Sequence, residues 1–355
     1  MQTRVCRLYG KQDLRLETDE VALPGSGEVL VKVGRGGICG SDIHYFLDGG
    51  IGTVRVSEPI ILGHEFAGTI VALGEDVAGL HVDDKVGINP SQPCGRCSYC
   101  QEGLSQHCNE MRFIGSAMRV PHEQGGFREL LVVKAAQCVK STGETTVAEL
   151  ACAEPLAVCL HAAKIVGDMS GKKVLVNGAG PIGALCVAVA RYYGAKEIVV
   201  MDLFDKTLAV AMEMGADTTI NIVSTPGTLA DYSKNKGYFD VIFECSAAQT
   251  AIDNIFQVVR PQGTIVQVGV AGMISYPMNM LVGKEVKWIG SHRFHGEYDE
   301  AVSLMSQQKI DVRPIITDVF LVADLQKAIQ TATDRSRSVK VQISFEDEMV
   351  SNSNA

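Results

Sequence analysis

The sequence lacks two features of other protein classes: an apolar run of roughly 18 residues, the least that spans a membrane, and an excess of positive charge. Its 32 Lys and Arg residues stand against 41 Asp and Glu residues, which gives a net charge of −9. An acidic surface repels phosphate backbones, so nucleic-acid binding is disfavoured. The N-terminus also lacks the apolar core of a signal peptide. We therefore expect a cytoplasmic protein that binds neither membranes nor nucleic acids.

The chain has 355 residues, enough for two domains, and its pattern changes near residue 152. Before that point, short apolar runs alternate with Gly-rich turns, as in a mainly-β domain. Beyond it, β-branched runs alternate with helical apolar stretches, which predicts an α/β domain with a doubly wound parallel sheet. After residue 290 the pattern is mixed again, so the simplest topology inserts the α/β domain into the first. The predicted domains are residues 1–151 with 290–355, and residues 152–289.

A glycine-rich loop in the α/β region has the spacing of a dinucleotide-binding fingerprint, between a predicted strand and a predicted helix. Its residues are Gly178, Gly180, Pro181, Ile182 and Gly183. Asp202 ends the next predicted strand, where its carboxylate can bind adenosine ribose hydroxyls and repel a 2′-phosphate. These residues predict an NAD site. The nearby cation of Lys206 leaves NADP as an alternative.

Four cysteines with the spacing C-x2-C-x2-C-x7-C lie in a segment without apolar periodicity; they are Cys94, Cys97, Cys100 and Cys108. Four thiolates this close in sequence fit a tetrahedral structural zinc site. A metal ion can order such a lobe where no hydrophobic core does. An iron–sulfur cluster uses the same ligands, and disulfides are a third alternative that the cytoplasm disfavours. We predict a structural zinc ion.

Two further segments, Cys39-Gly40-Ser41-Asp42-Ile43-His44-Tyr45 and Gly63-His64-Glu65, contain good zinc ligands. The pattern from Gly63 to Val77 resembles the G-H-E-x2-G-x5-G-x2-V signature of zinc-containing medium-chain alcohol and polyol dehydrogenases. The four cysteines and the nucleotide loop follow in that family's order, so the resemblance covers nearly the whole chain. It implies a GroES-like catalytic domain with an inserted Rossmann domain. It also implies a zinc- and NAD-dependent dehydrogenase with one catalytic and one structural zinc ion.

The resemblance assigns ligands to the catalytic zinc ion. Cys39 and His64 would be two of them, and Glu65 follows His64 as in the polyol dehydrogenases. Glu154 matches a second glutamate of that branch, at a region where alcohol dehydrogenases carry a further cysteine ligand. This departure favours the polyol-like branch, and it leaves open which glutamate binds the metal. Zinc there would lower the pKa of the substrate hydroxyl.

The same resemblance implies roles in proton transfer and substrate contact. Ser41 and His44 match the family's proton relay, and Tyr45 matches a residue near the substrate. Ser41 would pass the substrate proton through the cofactor ribose toward His44, while the nicotinamide accepts the hydride.

The substrate class depends on whether a carboxylate is recognised. Residues 88–95, 111–118, 237–241 and 290–294 are similar to a sugar-acid dehydrogenase of this family. Binding a sugar acid calls for a guanidinium or ammonium group in the pocket. Arg112, Arg119 and Arg293 are the candidates, and Phe113 is predicted beside them. The alternative is a neutral polyol such as sorbitol or xylitol, which needs no such cation.

Two non-enzyme hypotheses remain: a binding or structural protein that kept the fold, and a zinc-ribbon nucleic-acid module. No ligand is lost from the motifs, and the sequence has no basic stripe, so both are disfavoured. By resemblance we also expect a dimer or tetramer, formed through an edge strand around residues 271–280.

Overall fold

The computed structural model describes residues 1–270 and 272–346, and the first 150 of them are mainly β-structure. Their elements are β1 (Gln2–Gly10), β2 (Asp13–Glu20), β3 (Glu28–Gly37), α1 (Gly40–Asp48), β4 (Gly50–Ile51), β5 (Val54–Arg55), β6 (Ile60–Ile61), β7 (Glu65–Leu73), β8 (Lys85–Ile88), β9 (Ser91–Gln92), α2 (Ser98–Gln101), β10 (Arg112–Phe113), β11 (Leu130–Lys134), β12 (Cys138–Lys140) and α3 (Val147–Leu150).

From residue 153 to residue 290, strands alternate with helices, as predicted. The elements are α4 (Ala153–Val166), β13 (Lys173–Asn177), α5 (Pro181–Tyr192), β14 (Glu197–Asp202), α6 (Asp205–Glu213), β15 (Thr218–Asn221), α7 (Leu229–Tyr232), β16 (Phe239–Glu244), α8 (Gln249–Val258), β17 (Val259–Gln267), α9 (Met278–Gly283) and β18 (Lys287–Gly290). The chain continues with α10 (Glu297–Ser306), β19 (Ile316–Leu321), α11 (Leu325–Thr333) and β20 (Lys340–Ser344).

The α/β region contains a parallel sheet with the order β15-β14-β13-β16-β17-β18. This is the doubly wound order, in which the direction of winding reverses between β13 and β16. Both faces of the sheet are covered: Val174 and Val176 pack into one buried cluster, and Leu175 between them packs into another. Burial on both faces explains why these strands are continuous apolar runs in the sequence.

The last strand returns the chain to the N-terminal region. β20 pairs antiparallel with β3, with Gln342 opposite Gly37, and β7 pairs with β3 on its other side, with Glu65 opposite the same glycine. The fold is therefore a mainly-β GroES-like domain interrupted by a Rossmann domain, which confirms the predicted fold class. The boundaries at residues 151 and 290 stay a prediction.

The predicted edge strand around residues 271–280 is wrong. Residues 272–277 form no strand, and α9 occupies Met278–Gly283; residue 271 lies outside the described residues. At this side the edge of the sheet is β18. Apolar residues at 273, 276 and 278 imitate a strand pattern, but they are exposed, so no buried face selects an extended conformation.

The helices are short. The longest in the described ranges, α4, has 14 residues. None of the described helices is both long and apolar enough to cross a membrane.

Candidate functional site

Three predicted zinc ligands meet where β3 ends and β7 begins. Metal-binding atoms of Cys39, His64 and Glu65 all lie within 4.8 Å of one another. Cys39 follows the end of β3, and Glu65 opens β7, which pairs with β3. The strand pairing thus brings the two predicted segments together. A thiol, an imidazole and a carboxylate are a donor set that suits a catalytic zinc ion.

Asp42, which the sequence analysis did not single out, joins these two segments. It is fully buried, and its carboxylate accepts hydrogen bonds from the backbone N–H of Cys39 at 2.9 Å and of Gly63 at 3.1 Å. Its Oδ1 lies 3.9 Å from Nδ1 of His64. The signal was available in the sequence, because Asp42 stands three residues after the helix N-cap Cys39, a position that acidic residues favour.

Glu65 has a partner that the sequence analysis also missed. Nζ of Lys340 lies 2.9 Å from Oε1 and 2.6 Å from Oε2 of Glu65, and both side chains are 2% exposed. No local pattern links these residues, since 275 positions separate them.

Glu154 lies at the start of α4 and is also buried. It does not join the three ligands within 4.8 Å among the described residues, but its charge interacts with those of His64 and Glu65. Burial and the neighbouring Glu65 raise the pKa of Glu154 to about 7, although His64, Lys340 and Arg293 oppose the shift. The two predicted glutamates therefore differ: Glu65 has a lysine partner, and Glu154 has no such contact with any described residue.

The electrostatic setting of His64 fits a cation site. Burial lowers the pKa of this imidazole, but the charges of Cys39, Asp42 and Glu154 outweigh it and raise the pKa well above the usual value. Anionic groups thus surround the buried imidazole and favour a positive charge at its nitrogen atoms. A divalent cation would satisfy the same groups, so the residues present fit the zinc ion that the motifs imply.

Helix α1 carries the predicted proton-relay and substrate residues. Ser41 is half-buried near the N-terminus of the helix, and His44 is exposed, with Nδ1 2.9 Å from Oδ2 of Asp48. Tyr45 is buried, and its hydroxyl oxygen accepts a hydrogen bond from the backbone N–H of Ala117 at 3.2 Å. The helix therefore runs from the metal ligands to the protein surface.

The three predicted arginines have different surroundings. Arg112 is exposed and forms an ion pair with Glu123, and the guanidinium of Arg119 donates to the backbone carbonyls of Met111 and Asn109. Both guanidinium groups are thus engaged by other groups of the described residues, and their roles in substrate binding stay predictions.

Arg293 is linked to the candidate metal site through Phe113. Its guanidinium lies 4.2 Å from the ring centroid of Phe113, and that ring lies 5.7 Å from the ring of His64. Burial lowers the pKa of Arg293, while the charges of Glu154 and Tyr45 oppose this shift. Within the described residues Arg293 has no ion pair. Its φ of 52° is in the left-handed region, a strained conformation that recurs at binding sites.

The nucleotide loop connects β13 to α5 at the reversal point of the sheet. Gly178 has a φ of 94°, and a Cβ at Gly183 would lie 1.8 Å from the carbonyl oxygen of Gly178. Pro181 is the first residue of α5, with Ile182 next, so the helix N-terminus faces the loop. The Asp202 carboxylate accepts a hydrogen bond from the backbone N–H of Ala179 at 2.6 Å.

The four cysteines of the predicted structural zinc site form a second compact cluster. The sulfur atoms of Cys94, Cys97, Cys100 and Cys108 all lie within 4.8 Å of one another. Backbone N–H groups, first that of Cys100 and then that of Asn109, lower the pKa of Cys97 to about 6. This set of four thiols fits a closed tetrahedral zinc site.

Comparisons with known families agree with this architecture. Residues 25–143 match the family model of the alcohol dehydrogenase GroES-like domain, and residues 181–307 match that of the zinc-binding dehydrogenases. The chain is 39% identical over 346 residues to L-idonate 5-dehydrogenase (NAD(P)(+)) of Escherichia coli K12, which covers 97% of this chain and 99% of that protein. It is 38% identical over 301 residues to sorbitol dehydrogenase 1 of Saccharomyces cerevisiae, covering 82% and 83%.

Solved structures show the same similarity. The crystal structure of the E. coli L-idonate 5-dehydrogenase superposes with a TM-score of 0.92 at 38% identity, over 97% of this chain and 99% of that one. A zinc-binding dehydrogenase of Sinorhizobium meliloti bound to NADP gives a TM-score of 0.87 at 26% identity, over 97% and 99%.

Proposed function

Because this chain belongs to the zinc-binding dehydrogenases with an alcohol dehydrogenase GroES-like domain, we propose that it oxidises the 5-hydroxyl of L-idonate to 5-ketogluconate with NAD. The E. coli relative named for L-idonate aligns over nearly the whole chain, while the yeast sorbitol dehydrogenase aligns over less of it. A polyol dehydrogenase acting on sorbitol or xylitol is the second candidate, favoured by that yeast relative.

The observation that carries the sugar-acid proposal is Arg293. Its half-buried guanidinium stacks on Phe113 next to the candidate metal ligands and has no carboxylate partner among the described residues. A guanidinium in such a place can bind an anionic group of the substrate favourably, because a charge-assisted hydrogen bond is stronger where water is partly excluded. L-idonate supplies a carboxylate for this contact, and sorbitol does not.

We assign the catalytic residues as follows. Cys39, His64 and Glu65, with Glu154 close by, would hold the catalytic zinc ion, which would act as a Lewis acid on the substrate hydroxyl while NAD accepts the hydride. Tyr45 orients the substrate, because its hydroxyl oxygen already accepts the Ala117 N–H and its proton is left to donate.

Ser41 and His44 remove the substrate proton. They lie three positions apart on one face of α1, so a proton taken up near Ser41 has a short route to the exposed imidazole of His44. Asp48, with Oδ2 2.9 Å from Nδ1 of His44, orients the imidazole ring.

The cofactor is assigned as NAD. The Asp202 carboxylate lies at the end of β14 beside the glycine-rich loop, where it would repel the 2′-phosphate of NADP. Lys206 follows on α6 with an exposed side chain, so the test includes NADP.

We also propose that the chain is cytoplasmic and forms a dimer or tetramer. All eleven cysteines are free thiols, as suits a reducing compartment. Exposed apolar side chains at Val270, Met273 and Val282 lie in the connection between β17 and the edge strand β18, where a second copy would cover them.

The test is formation of NADH or NADPH by the zinc-loaded protein with L-idonate, sorbitol and xylitol, each with NAD and with NADP. We expect the largest kcat/KM for L-idonate with NAD. Faster turnover of the neutral polyols would replace the sugar-acid proposal with the polyol one.

The role of Arg293 has its own test. Arg293→Met should lower kcat/KM for L-idonate by about 10- to 100-fold, the value of a charge-assisted hydrogen bond, with little change for sorbitol. Arg112→Met, which removes an exposed arginine already paired with Glu123, is the matched control and should leave both substrates unaffected. Equal losses for L-idonate and sorbitol in Arg293→Met would contradict carboxylate recognition.

A further inference from the structure

A lysine ammonium lies inside the candidate metal site. Lys340 is the first residue of β20 and is 2% exposed, and its Nζ contacts both Glu65 oxygens and the backbone carbonyl of Ile38 at 3.2 Å. Lysine is rarely buried this completely, because removing an ammonium from water costs several kcal/mol unless it is paired. Because Lys340 contacts a candidate metal ligand, we expect its function to lie at the metal site.

The surrounding backbone is shaped for this contact. β3 lies between β7, which carries Glu65, and β20, which carries Lys340. The residue of β3 between them is Gly37, where a Cβ would lie 2.4 Å from Oε2 of Glu65. Only a residue without a side chain leaves room for the carboxylate and the ammonium to meet across the strand.

The charges explain what the lysine contributes. Cys39 as a thiolate and the Glu65 carboxylate are negative, and Asp42 places a further buried carboxylate beside His64. The Lys340 ammonium is a positive charge in direct contact with Glu65. Without it, Glu65 would lose a hydrogen-bonded counterion, and its full negative charge would weaken the zinc ion as a Lewis acid.

We propose that Lys340 is a positioning residue for the catalytic zinc ion: it fixes the Glu65 carboxylate beside Cys39 and His64 and offsets its charge. This inference rests on the metal site proposed above. Glu65 is then the carboxylate ligand held in place, and Glu154, which has no lysine contact in the described part of the chain, is the one that is free to exchange.

The experiment measures metal binding, which requires no substrate. Lys340→Met should weaken zinc binding at the catalytic site about 10- to 100-fold, the usual effect of removing a residue that supports a ligand. The four-cysteine zinc site serves as an internal reference and should keep its metal. In cobalt-substituted protein, the visible ligand-field spectrum of the catalytic site should change in Lys340→Met and return toward wild type in Lys340→Arg.

A double-mutant cycle shows whether the lysine acts through Glu65. In a Glu65→Gln background, Lys340→Met should add no further loss of metal affinity, because the charge that Lys340 holds is gone. If Lys340→Met caused the same loss of zinc affinity with Glu65 as with Gln at that position, the proposal would be overturned. A Lys340→Met protein with unchanged zinc affinity and cobalt spectrum would overturn it as well.

A control separates this role from the general cost of losing a hydrogen-bonded lysine, and the control residue, Lys284, is half-buried. Nζ of Lys284 donates to the carbonyls of Phe256, Gln257 and Val259 at the end of α8, away from both metal clusters. Lys284→Met should lower the unfolding temperature but leave catalytic-site zinc affinity unchanged. If Lys340→Met yields too little folded protein, Lys340→Gln carries the same expectation, since it keeps a hydrogen-bond donor without the charge.

The outcome is distinguishable from failure of the proposed function. A protein that does not oxidise L-idonate but loses catalytic-site zinc in Lys340→Met would contradict the substrate proposal and support this one.

Discussion

At the scale of single residues, buried charges from distant parts of the chain hold the candidate metal ligands. Asp42 binds the backbone of both ligand segments, and Lys340 holds Glu65. The cysteines of the two predicted zinc sites have different surroundings. Cys39 lies beside an imidazole and a carboxylate, whereas Cys97 lies beside three other thiols. The two kinds of cysteine should therefore respond differently to substitution.

Cys39→Ser should lower turnover by about a thousandfold or more, since a Lewis acid contributes several kcal/mol to catalysis. It should leave one zinc ion per chain and an almost unchanged unfolding temperature. Cys97→Ser should lower stability and solubility, because metal binding orders the surrounding lobe. Metal analysis, thermal unfolding and NADH formation measure these effects, and a fully active Cys39→Ser protein would show that the catalytic-zinc assignment is wrong.

At the scale of elements, the β13–loop–α5 unit is built around two close backbone approaches. Gly178 adopts a left-handed φ. The loop turns back so tightly that the carbonyl oxygen of Gly178 occupies the place where a Cβ of residue 183 would lie. A Cβ at Gly180, in contrast, would have no atom within 4 Å. Each of the three positions therefore requires glycine for a different physical reason. Gly178 needs its backbone conformation, Gly183 allows the helix to pack on the loop, and Gly180 leaves room for a ligand.

Two alanine substitutions should separate packing from cofactor binding. Gly183→Ala should destabilise the protein by about 1–3 kcal/mol, the usual cost of overpacking, and weaken NAD binding with it. Gly180→Ala should leave the unfolding temperature unchanged and reduce NAD affinity about tenfold, because the methyl group would stand where the pyrophosphate approaches. Thermal unfolding without NAD and calorimetric titration with NAD distinguish the two, and a Gly183→Ala protein of unchanged stability would contradict the packing argument.

At the scale of the whole molecule, the edge of the Rossmann sheet exposes an apolar surface. Val270 is 84% exposed, Met273 is fully exposed and Val282 is 67% exposed, and all three lie in the connection between β17 and the edge strand β18. An open strand edge with apolar neighbours readily associates with a second copy. The proposed oligomer would cover this surface.

Met273→Asp combined with Val282→Asp should convert the oligomer to a monomer, because association would bury two unpaired charges. Light scattering coupled to size-exclusion chromatography measures the change. Val223→Asp is the control, since Val223 is 68% exposed after β15, at the opposite edge of the same sheet. An assembly unchanged by the double substitution, or disrupted equally by the control, would place the interface elsewhere.

The sequence by itself determined the features whose residues are close together along the chain. The four cysteines span one short segment, and the glycine-rich loop joins adjacent elements, so local spacing was enough to predict both clusters. The parallel strands were predictable because burial on both faces leaves continuous apolar runs. The resemblance to a family then supplied the pairing of Cys39 with His64, which spacing could not.

Only the tertiary structure decided the contacts that depend on strands far apart in sequence. Glu65 and Lys340 meet because β7 and β20 both pair with β3, a juxtaposition that no local pattern encodes. In the same way, the sequence gives no reason to distinguish Arg112 from Arg293. In the structure Arg112 pairs with Glu123, whereas Arg293 stacks on Phe113 beside the metal ligands. Charge and residue type are properties of the sequence, whereas which charges are buried, paired or free depends on how the sheets bring them together.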